Sequence, residues 1–280
     1  MKGHALVLAH AHDRGAMAVA AQLSTSLGVH GVTTVRPETL GLGRWVHRIG
    51  STSAVQTRLT LRSGAEIESS TVSCIFNRLQ YLPPLQFHSA TAKDRDYASA
   101  ELQALVASWL YGLGDRVVNP AGPRGQAQGP VSRRGWLALA AECELPVARR
   151  VAATSGRMLG EMLPGESVRQ REPWPGGVRG PAPVEVDVEL DREFTEPQSD
   201  STLLVAGERV DGPLAERFGP RCRELARRSG CTLLEIRFGR PGGEPVILTV
   251  DPFPLLIEPW AVAAAAELLL ETADRHGITS

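Results

Sequence analysis

The chain has 280 residues, 42% of them hydrophobic, which is enough for one large domain or two ordinary ones around a real core. Its 31 acids balance 30 bases, so no global field draws nucleic acid or an anionic membrane, and partner choice falls to local sites. No apolar run approaches the roughly 20 residues that span a bilayer, and the opening MKGHALVLAHAHD lacks the long apolar stretch and cleavage site of a signal peptide, so a cytoplasmic protein is expected.

The segment HALVLAH reads as a short apolar strand, GAMAVAAQLSTSLG as a helix with Gly28 at its C-terminus, and GVTTVRP as a second strand. That opening βαβ unit predicts a parallel, helix-covered sheet. AVQTRLTLRSGAEIE reads as a hairpin turning at Ser63-Gly64, and VSCIFNRL as the next buried strand. From Asp94 to Leu113 the apolar positions Leu102, Leu105, Val106, Trp109 and Leu110 recur at helical spacing, with Asp94 or Asp96 available as cap. RVVNPAGP is a short strand entering a Pro/Gly connection over residues 119 to 130, and Arg133 to Glu144 is a helix that ends before Pro146.

ESVRQRE reads as a strand, REPWPGGVRGPAP as irregular, and VEVDVEL with STLLVAGERV as a hairpin. A helix is predicted from about Pro220 and a hairpin over LLEIRFGRPGGEPVILTVDPFP, and the chain closes with the helix PWAVAAAAELLLETADRHG. In PLLIEPWAVAAAAELLL there is more apolar surface than one helix face needs, which predicts a protein partner or self-association there. Cys74, Cys143, Cys222 and Cys231 form no CxxC pair and read as small buried apolar residues.

Several residues invite a chemical role. His10, His12 and Asp13 follow the first strand, where open α/β sheets place ligands, yet two histidines and one acid complete no recognised zinc spacing. Asn77 and Arg78 follow the strand CIFNRL at the same kind of edge. Arg78 is a candidate reader of a substrate carboxylate, and an ion pair with Asp94 or Asp96 is the structural alternative. On the last hairpin, Glu235 and Arg237 share a face, as do Thr249 and Asp251. Trp136, Trp174 and Trp260 sit singly in different elements and read as packing residues. No GxSxG elbow supports a hydrolase, and no GxGxxG follows the first strand.

The βαβ start, CIFNRL, DRDYASAEL, VVNPA, RGWLALAAECELPV and the closing hairpin plus helix together resemble the ATP-grasp superfamily, in particular its RimK-like, peptide-modifying group. The resemblance covers most of the chain. It implies an α/β class, with α+β character in the C-terminal part: a pre-ATP-grasp α/β domain over residues 1–122, then an ATP-grasp-like domain over 123–280. Within the latter it implies a small subdomain at about 145–215 and the final sheet and helices at about 216–280. The implied reaction activates a carboxylate as an acyl phosphate with ATP and Mg2+ and couples it to an amine, on a peptide or amino-acid-like substrate.

Carried over residue by residue, the resemblance places Glu235 and Asp251 at metal-ligand positions and Arg169 and Arg171 at phosphate-contacting positions on the strand SVRQRE. Two departures stand out. Thr249-Val250-Asp251 replaces the family's glutamate-x-asparagine pair, so an anionic bridging ligand is missing. The only lysines are Lys2 and Lys93, so arginine would have to meet the phosphates, a planar fork in place of a point charge. The expectation is therefore an ATP-grasp-fold protein with a degenerate nucleotide and metal site, acting as a binding or scaffold subunit for a partner enzyme. The alternative is an active ATP-dependent carboxylate-amine ligase.

Overall fold

Strand β1 (His4–Leu8) is buried on both faces, Ala5 and Val7 pointing to one side and Leu6 and Leu8 to the other. A continuous apolar run of this kind marks the centre of a parallel sheet covered by helices. β1 pairs in parallel with β2 (Val32–Val35) and β6 (Val72–Asn77), and β6 with β7 (Val117–Val118), giving the order β2-β1-β6-β7. Helix α1 (Arg14–Leu27) lies against the Ala5 and Val7 side. On the other side Leu6 and Leu8 pack with α3 (Ala92–Leu113), whose Trp109 is fully buried. The computed structural model describes residues 4–50, 55–80, 82–83, 85–120, 132–147, 150–153, 184–187, 201–239 and 243–277.

Three elements escaped the sequence reading: the short helix α2 (Pro37–Gly41), the strand β3 (Arg44–Ile49) and, further on, the strand β8 (Arg150–Ala153). β3 joins β4 (Val55–Thr60) and β5 (Glu66–Glu68) in an antiparallel three-stranded sheet, so the expected hairpin gains a third member. The cap of α3 also differs from expectation. Thr91, rather than Asp94 or Asp96, takes the N-cap, accepting from the Asp94 N–H at 3.3 Å and donating to the Asp94 carboxylate at 2.8 Å.

The second sheet is antiparallel, in the order β11-β10-β12-β13: β10 (Thr202–Ala206), β11 (Arg209–Asp211), β12 (Leu233–Gly239) and β13 (Val246–Asp251). Here one expected hairpin dissolves. VEVD forms β9 (Val184–Asp187), which pairs with β8 (Arg150–Ala153), while β10 turns back at Gly207, at φ +62°, onto β11. A glycine with positive φ in a two-residue loop specifies a tight hairpin, and it lies inside what had been read as one strand. Helices α4 (Arg133–Glu142) and α5 (Ala215–Ser229) pack on the face carrying Leu234, Ile236 and Phe238. α5 begins earlier than Pro220, which sits in its second turn and leaves the Glu216 carbonyl without a helical donor.

The closing helix α6 (Pro259–Arg275) accounts for its own apolar surplus. Its small residues Ala264, Ala265 and Ala266, with Leu268 and Leu269, are buried in one cluster with Val7 and Phe76 of the first sheet and Leu204 and Leu233 of the second. An alanine-rich helix is thin enough for both sheets to approach it, so the surface read as a partner site is spent inside the molecule. Leu255 and Ile257, just before it, stay exposed. The four cysteines are buried, and burial pushes Cys74 and Cys222 up to about 12 and Cys231 to about 11, in keeping with inert packing residues.

Asn119, at the carboxyl end of β7, ties the two sheets together. Its Nδ2 donates to the carbonyls of Leu233 at 2.7 Å and Pro252 at 2.6 Å, and its Oδ1 accepts from the N–H groups of Thr232 at 2.9 Å and Leu233 at 2.8 Å. Every strong donor and acceptor of one buried amide is used. Asn119→Ala is expected to leave several buried main-chain groups unpaired and to cost about 3 kcal/mol or more, read as a fall in the urea midpoint at unchanged slope.

His47 bridges the three-stranded sheet to α3, with Nδ1 2.8 Å from Thr57 Oγ1 and Nε2 3.0 Å from Ser108 Oγ. Burial holds its pKa below the ordinary value of 6.5, and burial does the same to His4. Above 6.5 both states are neutral and the stabilisation is complete; as pH falls through 6.5 the unfolded chain binds protons first and stability is lost. Chemical denaturation between pH 7.5 and 5 should show this decline, and His47→Gln should remove part of it.

Candidate functional site

Register on the last hairpin sets Glu235 directly across from Asp251 and Arg237 across from Thr249. Directly opposed residues project to one face, so all four side chains lie on the face that also carries Leu233, towards α6. Glu235 is buried, and both its oxygens are engaged. Oε1 accepts from the Arg237 guanidinium through Nε and Nη2, and Oε2 accepts from the Leu255 N–H at 3.0 Å. Asp251 Oδ1 accepts from the Phe253 N–H at 2.8 Å. Burial raises the Asp251 pKa and the Glu235 charge adds to this, against the Phe253 N–H and the cations Arg78 and Arg237.

The turn after β13 is held in an unusual shape. Leu256 has φ +51° and is nonetheless buried in the core. A leucine in the left-handed region costs on the order of 1–2 kcal/mol. The Glu235 bond to Leu255 N–H and the burial of Leu256 hold it there. On its far side the turn abuts α1: a Cβ at Gly15 would lie 2.4 Å from the Leu255 carbonyl oxygen, so glycine is required for the close approach. Glu235, the turn and the start of α1 are thus one packed unit.

Across that unit lies the carboxyl edge of the first sheet. The order β2-β1-β6-β7 reverses direction between β1 and β6, the switch point where such sheets leave a crevice. Arg78 stands there, but its ion pair is with Asp13, Nε to Oδ2 at 2.9 Å, and not with Asp94 or Asp96. Asp13 also caps α1, accepting from Ala16 N–H at 2.9 Å, so a residue adjacent to the switch point outcompetes acids on a distant helix. The Arg78 guanidinium lies 5.6 Å from the Phe76 ring centre and 5.9 Å from that of Phe253, and its Nη1 is buried without a hydrogen-bond partner among the described residues. His10 and His12, which adjoin Asp13 in sequence, stack at 5.2 Å, and His10 faces Glu38 at 3.5 Å.

The structure therefore brings Arg78, Asp251 and Glu235 into one electrostatic neighbourhood. Arg169 and Arg171 lie outside the described residues. The reading of the sequence missed Asn119 and Glu258, and it singled out Asp13 without its pairing to Arg78. Glu258 lines a cleft of about 220 Å³ with Glu235, Arg237, Thr202, Ile257 and Trp260. Among the described residues no group of three or more His, Cys, Asp or Glu side chains is placed to hold a metal ion. No helix of the described residues is long and apolar enough to cross a membrane.

No family model matches the sequence, and no curated protein matches it. Solved structures do match in shape. The macrocyclase MdnC of Microcystis aeruginosa MRC, bound with precursor peptide MdnA, superposes with a TM-score of 0.70 at 11% identity, covering 96% of this chain and 99% of that one. MdnB from the same source gives 0.69 at 16% identity, covering 95% and 99%. A Chryseobacterium gregarium RiPP-associated ATP-grasp ligase in complex with ADP and a leader and core peptide gives 0.69 at 11%, covering 96% and 97%. Over nearly its whole length, this chain has the fold of the peptide-modifying ATP-grasp proteins.

Proposed function

We propose that this chain is a peptide-binding subunit of ATP-grasp fold that has given up phosphoryl transfer and serves a complete partner enzyme, or a second copy, in the cytoplasm. The state of Glu235 carries this reading. A magnesium ion needs anionic oxygens free to coordinate it, whereas Glu235 Oε1 is covered by Arg237 and Oε2 by the Leu255 N–H. Arg237 supplies, from the same strand, the positive charge that a metal would bring. Thr249 opposite it offers no anion. Among the described residues the donor set does not fit two metal ions, and of the two facing acids only Asp251 has an oxygen that meets no donor there.

Peptide binding is drawn from the shared fold, since MdnC holds a precursor peptide and the Chryseobacterium ligase a leader and core peptide. In this reading Arg78 remains the substrate-side cation, with Nη1 as the donor still to be matched by a peptide carboxylate. A second reading, the ATP-dependent carboxylate-amine ligase, is favoured by one observation: Glu235 and Asp251 face each other in register, as metal-binding acids would. Among the fold relatives, PsnB is an ATP-grasp ligase, and one of its structures holds a minimal precursor, Mg and ADP. Arg169 and Arg171 would then contact the phosphates.

Thermal shift with Mg-ATP separates the two. Saturating ligand at a hundredfold excess over Kd stabilises the native state by roughly 2.7 kcal/mol, a shift of several degrees. The wild-type protein is expected to show no metal-dependent shift and no ADP release with amino acids or peptides, and Arg237→Ala combined with Thr249→Glu to gain a magnesium-dependent shift. Saturable Mg-ATP stabilisation with turnover, lost in Glu235→Ala or Arg169→Ala, would establish the ligase instead.

A further inference from the structure

The three-stranded sheet has two faces of opposite character. Trp45, His47, Thr57, Leu59 and Ile67 point inward to α3, and Trp45 meets Trp109 edge-on at 5.3 Å. The outward face carries Arg44, Val46 and Arg48 of β3 opposite Thr60, Arg58 and Gln56 of β4, with Glu68 of β5 opposite Arg58. A groove of about 600 Å³ opens on this side, lined by Arg48, Arg58, Arg116, Gln56, Glu68 and Ser70 among others. Three guanidinium groups meet one carboxylate there, in a protein whose net charge is only −1.

The arginines are not equivalent. Arg58 is paired with Glu68 at 2.7 Å. Arg116, which comes from outside the sheet, is pinned through Nη1 to the carbonyls of Ser69 at 2.8 Å and Val72 at 3.1 Å, so its cation is fixed in place. Arg48 has no hydrogen bond or ion pair among the described residues and is exposed. β3 is the edge strand, and Val46 and Ile49 on it are exposed. Charges on an edge strand can serve simply to prevent self-pairing. That role does not require Arg116, which belongs to no edge and yet lines the same groove.

We infer that this edge and groove dock an acidic peptide segment in extended conformation, which adds as a fourth strand beside β3. An added strand gains main-chain hydrogen bonds from the edge and sets side chains two apart on one face, the spacing of Arg44, Val46 and Arg48. Acids on the outward face of the added strand meet Arg48 on its neighbour β3, and the fixed Arg116 adds positive charge to the groove beyond it. A nucleic acid strand is disfavoured, because the tryptophan of β3 is turned to the inward face and no aromatic platform lines the groove. Glu68 would also face its phosphates. The inference is independent of the acid pair on the last hairpin and stands whichever way Mg-ATP binding falls.

Fluorescence anisotropy on the full chain tests it, with labelled dodecapeptides of alternating Glu-Thr and Lys-Thr and a 12-nucleotide oligothymidylate. Glu-Thr should bind saturably, at least tenfold tighter than Lys-Thr and more weakly as salt rises. Arg48→Glu should weaken it at least tenfold with an unchanged melting temperature, and Arg44→Glu should weaken it less. Equal affinity for the two peptides, no binding of Glu-Thr, or full retention of binding in Arg48→Glu overturns the inference. Tighter binding of oligothymidylate, or complete competition by millimolar inorganic phosphate, also overturns it, in favour of a nucleic acid or a small-anion site.

Discussion

The Asn119 amide is the constraint on which the site's geometry rests. It is the point where the parallel first sheet meets the antiparallel second one, and it reads both ends of the hairpin: the start of β12 through Thr232 and Leu233, and the turn after β13 through Pro252. Glu235 follows Leu233 by two residues, and Asp251 precedes Pro252 by one. Clamping those two backbone positions to the end of β7 therefore fixes the acid pair relative to the carboxyl edge where Arg78 stands. Aspartate has no donors for the two carbonyls, and glutamine is one methylene too long for the same reach. Only asparagine satisfies four main-chain groups from this spot.

From that clamp outward, a line of charges crosses the molecule's centre: Asp13 with Arg78, then the like-charged neighbours Asp251 and Glu235, the latter paired with Arg237. Each carboxylate also holds backbone. Asp13 caps α1, Asp251 fixes the Phe253 N–H, and Glu235 fixes the Leu255 N–H in front of the positive-φ Leu256. These carboxylates thus have structural work apart from any ligand. On the proposed reading, a buried carboxylate that orients a strained turn is kept for stability without a coordinating role, so an acid pair in register can coexist with a threonine at position 249.

The sequence made the layers legible because their signals are local. The apolar run of β1, the helical spacing of α3 and the paired strand patterns of the last hairpin each announce an element, and the structure has all three. What it concealed depends on pairing at a distance. β9 and β10 both read as good strands, and only Gly207, which returns β10 to β11, decides that they belong to different sheets. Arg78 was legible as a cation at a sheet edge, but its partner Asp13 lies 65 residues away in the chain. Asn119 appeared within VVNPA without a role, since nothing in the sequence shows which carbonyls a lone asparagine will meet. The alanines of α6 read as an unclaimed surface because a single helix gives no sign that two sheets will close on it.

The arginine bias of the composition acquires meaning at Glu235. Arg237 directs Nε and Nη2 to one oxygen of the carboxylate, leaving the other for the Leu255 N–H. A fork can neutralise a buried acid from two residues away on the same strand while staying planar, which a lysine ammonium, a point charge on a flexible stem, does less rigidly. Removal of Arg237 alone would strand a buried anion, and addition of an acid at Thr249 alone would set a third negative charge beside Glu235 and Asp251 without a metal to gather them. Each single step is opposed, the first by desolvation and the second by like-charge repulsion. The arrangement is therefore self-consistent as an internal ion pair, and on the proposed reading metal binding would require both changes at once.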